Sequence, residues 1–254
     1  MSSEILVVRC GTVPYGQARE AQKRLEGSRQ RGEIADVLLL LEHTPVYTRG
    51  RRSTPEELPM EVQWYEAQGI EVLDTDRGGL VTYHGPGQLV VYPIVSLEPY
   101  GNDVHEYVRG LEQVMIGALA EHGVAAQIIK GLTGVWVPRR RADSSPMGSQ
   151  IGPSTPEARK IGSIGVHVSR GVTTHGLAVN VSNDLQPFEW IVPCGIEGVA
   201  MTSLTRELGS QQSLDAFADT ISKRFGEVFG RTPNAVDPAD LGLDLPAARL
   251  RVKP

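Results

Sequence analysis

Cysteine is scarce in this 254-residue chain: only Cys10 and Cys194 occur. Two are too few for a disulfide framework or a cysteine-ligated zinc cluster. Long apolar runs are also missing. None approaches the roughly 18 residues of a membrane span. The N-terminus has acidic Glu4 ahead of a strand-like stretch and no small-residue cleavage site, so it does not read as a secretory signal. The expected location is the cytoplasm. An excess of positive charge is lacking too: the formal net charge is −5, which argues against bulk nucleic-acid or anionic-membrane binding. No internal repeat appears. No Gly-x-x-x-x-Gly-Lys-Ser/Thr occurs, and no Gly-x-Gly-x-x-Gly opens a helix after a strand, so the usual nucleotide-phosphate loops are excluded. The histidines show no helical pairing of the kind that binds zinc.

What is present suits a globular core. Hydrophobic residues make up 40% of the chain and charged residues 22%, close to globular norms. Short β-branched runs at Ile5 to Val8, Val37 to Leu41, Ile70 to Leu73, Leu89 to Val95, Ile161 to Val168 and His175 to Val181 predict strands. Apolar residues at 104, 107, 108, 111, 114, 115, 118 and 119 predict a helix, with Asp103 and Glu106 as a capping box and Gly123 as the stop. A second helix is expected from Pro14 to Glu26, with Pro14 in its first turn. A third presents Leu214, Phe217, Ala218, Ile221, Phe225, Val228 and Phe229 on one face between Ser213 and Gly230. Strands and helices do not alternate regularly. The fold class predicted is therefore α/β, a mixed sheet with packed helices. Pro138 to Arg159, rich in Arg, Ser, Pro and Gly, reads as a surface loop whose arginines would suit an acidic partner. Thr232 to Pro254 reads as a tail that wraps the surface or frays.

Three segments carry candidate chemistry. The first is Arg77-Gly78-Gly79-Leu80-Val81-Thr82-Tyr83-His84-Gly85-Pro86-Gly87-Gln88. Its glycines permit close backbone approach to a ligand, and Arg77 and His84 add charge and hydrogen bonds. A plain hairpin turn before the strand at Leu89 is the alternative reading, and both stand at this point. The second is Lys160-Ile161-Gly162-Ser163-Ile164-Gly165, followed by Thr174-His175-Gly176-Leu177-Ala178-Val179-Asn180. Two strands joined at Ser169 to Gly171 are expected. Their small residues leave space either for a chain-like apolar ligand or for close packing. On the first reading, enlarging Gly176 to valine shortens the preferred ligand or abolishes its loading. The third is Pro193-Cys194-Gly195, a defined turn suited to a nucleophile, whose thiol needs a base or cation nearby. Cys10 lacks such surroundings and reads as structural.

Together these blocks resemble the lipoyl(octanoyl) transferase family. Arg77 to Gln88 is similar to its Arg-Gly-Gly-x-x-Thr-Tyr-His-Gly-Pro-Gly-Gln signature, and the other blocks follow in the same order over about residues 5 to 225. The resemblance implies the fold of biotin and lipoate protein ligases. Residues 1–209 would be the catalytic domain, and 210–254 a C-terminal helix and tail packed on it. It implies no cofactor and no metal. Cys194 becomes the acyl-thioester nucleophile and Lys160 its activating partner. Acyl contacts fall on Arg77, Gly78, Gly79, Leu80, Val81, Thr82, Tyr83 and His84, on Ser163, Ile164 and Gly165, and on Gly176, Leu177 and Ala178. The donor would be octanoyl-acyl carrier protein. The acceptor would be a lysine of the lipoyl domains of 2-oxo acid dehydrogenases or of the glycine cleavage H protein. The enzyme would act as a monomer. Backbone N–H groups near Cys194, or the His84 side chain, would stabilise the oxyanion. An ATP-dependent lipoate or biotin ligase and a non-catalytic acyl-binding module are the alternatives. Neither requires Cys194.

Overall fold

The computed structural model describes residues 3–139, 158–192 and 199–247. Its centre is an eight-stranded mixed sheet. The strands are β1 (Glu4–Val13), β2 (Asp36–His43), β6 (Gln88–Ile94), β7 (Gln127–Ile129), β8 (Leu132–Pro138), β9 (Ala158–Ser169), β10 (Val172–Asn180) and β11 (Thr232–Val236), in the order β11-β1-β2-β6-β10-β9-β8-β7. β1 pairs in parallel with β2 and β11, and the remaining pairs are antiparallel.

The central strand β2 explains the layering. Successive side chains of a strand alternate between faces, and all of Val37 to Leu41 are buried. Leu38 and Leu40 join one apolar cluster, while Val37, Leu39 and Leu41 join another. Helices α3 (Val104–Glu121) and α5 (Leu214–Phe229), with the short α4 (Leu204–Leu208), cover the first face, and α1 (Tyr15–Gln30) covers the second. Asp103 caps α3 by accepting from the His105 and Glu106 N–H groups. Ser213 caps α5 through the Ala216 N–H, and Gly230 ends it in a left-handed conformation. Pro14 falls one position before α1 rather than in its first turn. Val228 is exposed, not part of the buried face of α5.

Between β2 and β6 the chain builds a second, three-stranded sheet. It comprises β3 (Val46–Arg49), β4 (Glu71–Asp74) and β5 (Thr82–His84), in the order β4-β3-β5, with the short helix α2 (Val62–Ala67) beside it. β5 leads into β6, but the two strands belong to different sheets. The Gly85-Pro86-Gly87 turn is therefore no hairpin; it carries the chain from one sheet to the other. The Gln88 N–H donates to the Gly85 carbonyl at 3.1 Å. Gly87 has φ +88°, the conformation a turn with proline ahead of it demands of its third residue.

The C-terminal stretch also differs from its expectation. Thr232–Val236 forms β11 and pairs along β1. Pro233 is tolerated because β11 is the edge of the sheet. The helix expected from the apolar face at 214 to 229 contributes to the same apolar cluster as α3.

Candidate functional site

β9 and β10 form a hairpin closed by Arg170 and Gly171, both with positive φ. In its ladder Ser163 lies opposite Ala178 and Gly165 opposite Gly176. Directly opposed residues share a face, so these small side chains form one shallow floor. Val90 of β6, opposite Ala178, extends it. β8 pairs with β9 only over Ala158 to Gly162. Past that point the glycine-rich loop takes over the free edge: the Gly78 N–H donates to the Val166 carbonyl at 2.9 Å. A Cβ on Gly165 would stand 2.8 Å from the Gly78 carbonyl oxygen. The glycines thus let the loop's backbone lie directly on the strand.

The result is a cavity of about 460 Å³, within the range of small-molecule sites. Loop residues Arg77 to Thr82 wall one side of it. Leu132, Thr133, Val104 and Val108 wall another, and Lys160, His84, Tyr92 and His175 add polar atoms. Every residue expected to touch an acyl group lines it except Tyr83. The Tyr83 ring is turned away and packs against Tyr47 and Phe188.

Arg77 is buried, and its guanidinium braces the loop. It donates to the Thr48 carbonyl at 2.6 Å, to the Thr48 hydroxyl, to the Leu80 carbonyl at 2.7 Å and to the Gly78 carbonyl at 3.1 Å. Glu57 adds a second brace. Its carboxylate accepts from the Val81 N–H at 2.9 Å, and its carbonyl accepts from the Val192 N–H at 3.0 Å.

Lys160 is 4% exposed. Its Nζ donates to the Thr133 carbonyl at 3.1 Å and stands 5.1 Å from the centre of the Trp136 ring. Its own peptide is held on both sides by the chain that follows the cysteine block. The Lys160 N–H donates to the Ala200 carbonyl, and the Thr202 N–H donates to the Lys160 carbonyl, each at 2.9 Å. Cys194 itself, with the rest of 193–198, lies outside the described residues, as does 140–157, most of the arginine-bearing loop. Of that loop's arginines, Arg159 is engaged internally: it pairs with the buried Glu207 at 3.0 Å. It is therefore not available to an acidic partner. Cys10 is fully buried in β1, and burial pushes its thiol up to about 12. It stays protonated and inert at neutral pH.

The cavity also meets a polar cluster in which His84 and His175, from the sequence blocks, join Tyr15, His43, Asp76 and Tyr92, which those blocks do not contain. The His43 Nδ1 contacts the Val13 carbonyl and its Nε2 the Tyr92 hydroxyl, both at 2.7 Å. Burial pushes His43 down to about 4, so it is neutral. His175 faces Asp76 at 2.9 Å, and its backbone holds φ +57°, rare for a residue with a Cβ. Burial lowers its pKa, while hydrogen bonding to His175 holds Asp76 well below the usual carboxylate range. His84 stacks near Tyr15 and meets His43 edge-on.

Against known proteins, the model of the lipoyl protein ligase A/B catalytic domain matches residues 14–226. The chain belongs to that family. The octanoyltransferase of Chloroflexus aurantiacus is 44% identical over 224 residues, covering 88% of this chain and 93% of that protein. The octanoyltransferase of Mycolicibacterium smegmatis is 44% identical over 234 residues, covering 91% and 92%. Solved structures share the fold at lower identity. A bi-partite lipoate protein ligase from Thermoplasma acidophilum has a TM-score of 0.67 at 16% identity, covering 93% of this chain and 87% of that one. A lipoate-protein ligase A bound with ATP has a TM-score of 0.64 at 17% identity, covering 93% and 90%. The α/β mixed sheet expected from the sequence is therefore the lipoate protein ligase fold. Among the described residues, no helix is long and apolar enough to cross a membrane.

One expectation about the family's glycines changes. A Cβ on Gly176 would meet the Val91 carbonyl oxygen at 2.3 Å and Pro93 Cδ at 2.5 Å. Those atoms belong to the neighbouring strand, not to the cavity. Gly176→Val is thus expected to destabilise the fold by about 1–3 kcal/mol or more, rather than to shorten the preferred acyl chain. A thermal melt of the variant, beside its chain-length profile, checks this. A normal melting temperature with a shortened profile would restore the earlier reading.

Proposed function

We propose that this chain is an octanoyltransferase working through a covalent enzyme thioester. It takes the octanoyl group from octanoyl-acyl carrier protein onto Cys194 and passes it to a lysine of a lipoyl domain, in the cytoplasm and as a monomer. The relatives' names support octanoyl transfer. The observation that carries the site assignment is the buried Lys160 amine at the cavity wall, with Ala200 to Thr202 hydrogen-bonded along its peptide. That pairing holds the chain leaving the Pro193-Cys194-Gly195 block against the lysine.

The chemistry needs no external activation. The Cys194 thiolate adds to the donor's thioester carbonyl, and the adduct's oxyanion collapses to expel the carrier's thiolate, which takes up a proton. Exchange of one thioester for another is nearly balanced. The acceptor amine then adds to the enzyme thioester, a C–N bond forms, the C–S bond breaks and Cys194 is regenerated. Amide formation drives the sequence forward. Lys160, charged, favours the thiolate in the first step; neutral, it accepts the amine's proton in the second. The apolar cavity beside it receives the octanoyl chain, with Leu80, Val81, Ile164 and Leu177 among its walls.

The test is intact mass after incubation with octanoyl-acyl carrier protein in the absence of ATP. The expected result is a gain of one octanoyl group, released by hydroxylamine. It persists in Cys10→Ser and is absent in Cys194→Ala. Loading that demands ATP would replace this reading with a ligase. Equal loss of loading in both cysteine variants would remove Cys194 from the role.

A further inference from the structure

The orientation of His84 is fixed by a chain of side-chain amides that ends on two backbone carbonyls. Asn180 Nδ2 donates to the Thr202 carbonyl at 3.0 Å, so its Oδ1 faces the other way. That Oδ1 accepts from Gln88 Nε2 at 2.9 Å. Gln88 Nε2 also donates to the Tyr83 carbonyl at 3.2 Å. Carbonyls only accept, so neither amide can be flipped without setting oxygen against oxygen. Gln88 Oε1 is left facing His84 Nδ1 at 2.7 Å, and Nδ1 must carry the hydrogen. The ring is 6% exposed and lines the cavity. Burial, with His43 and Arg77 nearby, holds it neutral, its pKa well below the ordinary value. Its other nitrogen, Nε2, therefore presents a lone pair. A lone pair does not stabilise an oxyanion, so with His84 in this state that role falls to the backbone N–H groups.

We propose that Gln88 and Asn180 are positioning residues that hold His84 as the Nδ1–H tautomer, so that Nε2 accepts a hydrogen bond from the incoming amine in the second half-reaction. This rests on the octanoyl-transfer reading above. A primary amine brings two N–H bonds and one lone pair. Lys160 takes the proton that leaves. A second N–H held by His84 turns the amine's lone pair toward the thioester carbonyl. The same amide chain runs to Thr202, whose N–H is bonded to the Lys160 carbonyl at 2.9 Å. The two acceptors are thereby built into one framework. The donor half-reaction offers no N–H at this point, because a thiolate is the nucleophile there. The His84 contact is consequently specific to transfer.

The first measurement is nitrogen NMR of the wild-type enzyme with labelled histidine. It should show His84 protonated on Nδ1 and bare on Nε2, and the reverse assignment would overturn the proposal. The second separates the half-reactions in Gln88→Met, which removes the partner of Nδ1. Acyl transfer to a lipoyl domain should slow by about 10²-fold, the order expected of a misoriented reacting group. Loading from octanoyl-acyl carrier protein should slow far less. Equal slowing of both half-reactions, or no slowing of transfer, would overturn the proposal. If Gln88→Met does not fold, the wild-type tautomer still decides. Failure of the wild type to load at all would bring down the transferase reading itself, a result distinct from either of these.

Discussion

Replacing Lys160 by alanine is expected to slow octanoyl transfer by about 10²- to 10⁴-fold, the usual contribution of a positioned acid–base group. The lysine is almost wholly buried, with its amine held by the Thr133 carbonyl and the Trp136 ring face. Such a placement is costly for a group that merely decorates the surface. A nearby cation lowers a cysteine's pKa from its free value of about 8.5. Removing it should move the pH midpoint of Cys194 alkylation upward, so that the thiolate becomes scarcer at neutral pH. Lys160→Arg separates two roles. The guanidinium keeps the charge but does not give up a proton. Loading should partly survive in that variant while transfer to the acceptor amine fails. Cys10, fully buried and protonated, supplies no background to the alkylation measurement. Identical alkylation profiles in wild type, Lys160→Arg and Lys160→Ala would exclude the coupling.

The strands and helices that could be read in advance are those that bury a face. β2 announces itself because five consecutive apolar residues, Val37 to Leu41, are buried against helices on both sides. α3 and α5 do so through helical spacing of large side chains with sound caps. Burial alone did not guarantee legibility, since β3 and β8 are largely buried and were not anticipated, and some elements held by pairing were missed as well. β11 is mostly exposed and contains Pro233; it exists because β1 offers a free parallel edge, which no local pattern encodes. β5 is three residues long, and only its partner β3 identifies it as a strand of a separate sheet.

The site divides along the same line. Motif residues such as Lys160, His84 and Ser163 are visible because chemistry-bearing types stand among glycines. The residues that orient them are scattered: Asn180 reaches His84 only through Gln88, and Glu57 ties Val81 to Val192 across long stretches of chain. Tyr15, Tyr92 and His43 come from three separate elements and meet only in the fold. One signal was available. His84 and Gln88 lie four apart in the same motif, and a pair of hydrogen-bonding side chains flanking a tight turn is placed to meet across it. Tyr83 shows the converse error. Its neighbours on either side line the cavity, but strand alternation sends its ring to the opposite face.

Arg77→Met is expected to cost about 3 kcal/mol of stability, more than it costs in affinity for the acyl group. The reason lies in what the guanidinium holds. It gathers the Thr48 and Leu80 carbonyls and the Thr48 hydroxyl into one buried fork, and methionine of similar length leaves those oxygens without that donor. A buried polar group stripped of its partner costs about 1–3 kcal/mol, offset here by not having to bury a cation. For a chain of this size the melting temperature should fall by about 10 °C. Arg77→Lys should fall between the two, because one ammonium cannot span acceptors on both β3 and the glycine-rich loop. The loop lies on β9 through the Gly78 to Val166 hydrogen bond, so loosening it also widens the cavity wall. Octanoyl loading should accordingly weaken in parallel with the loss of stability across Arg77→Lys and Arg77→Met. Differential scanning calorimetry beside loading kinetics makes the distinction. An unchanged melting temperature with a raised KM for the acyl donor would show instead that Arg77 acts on the ligand directly.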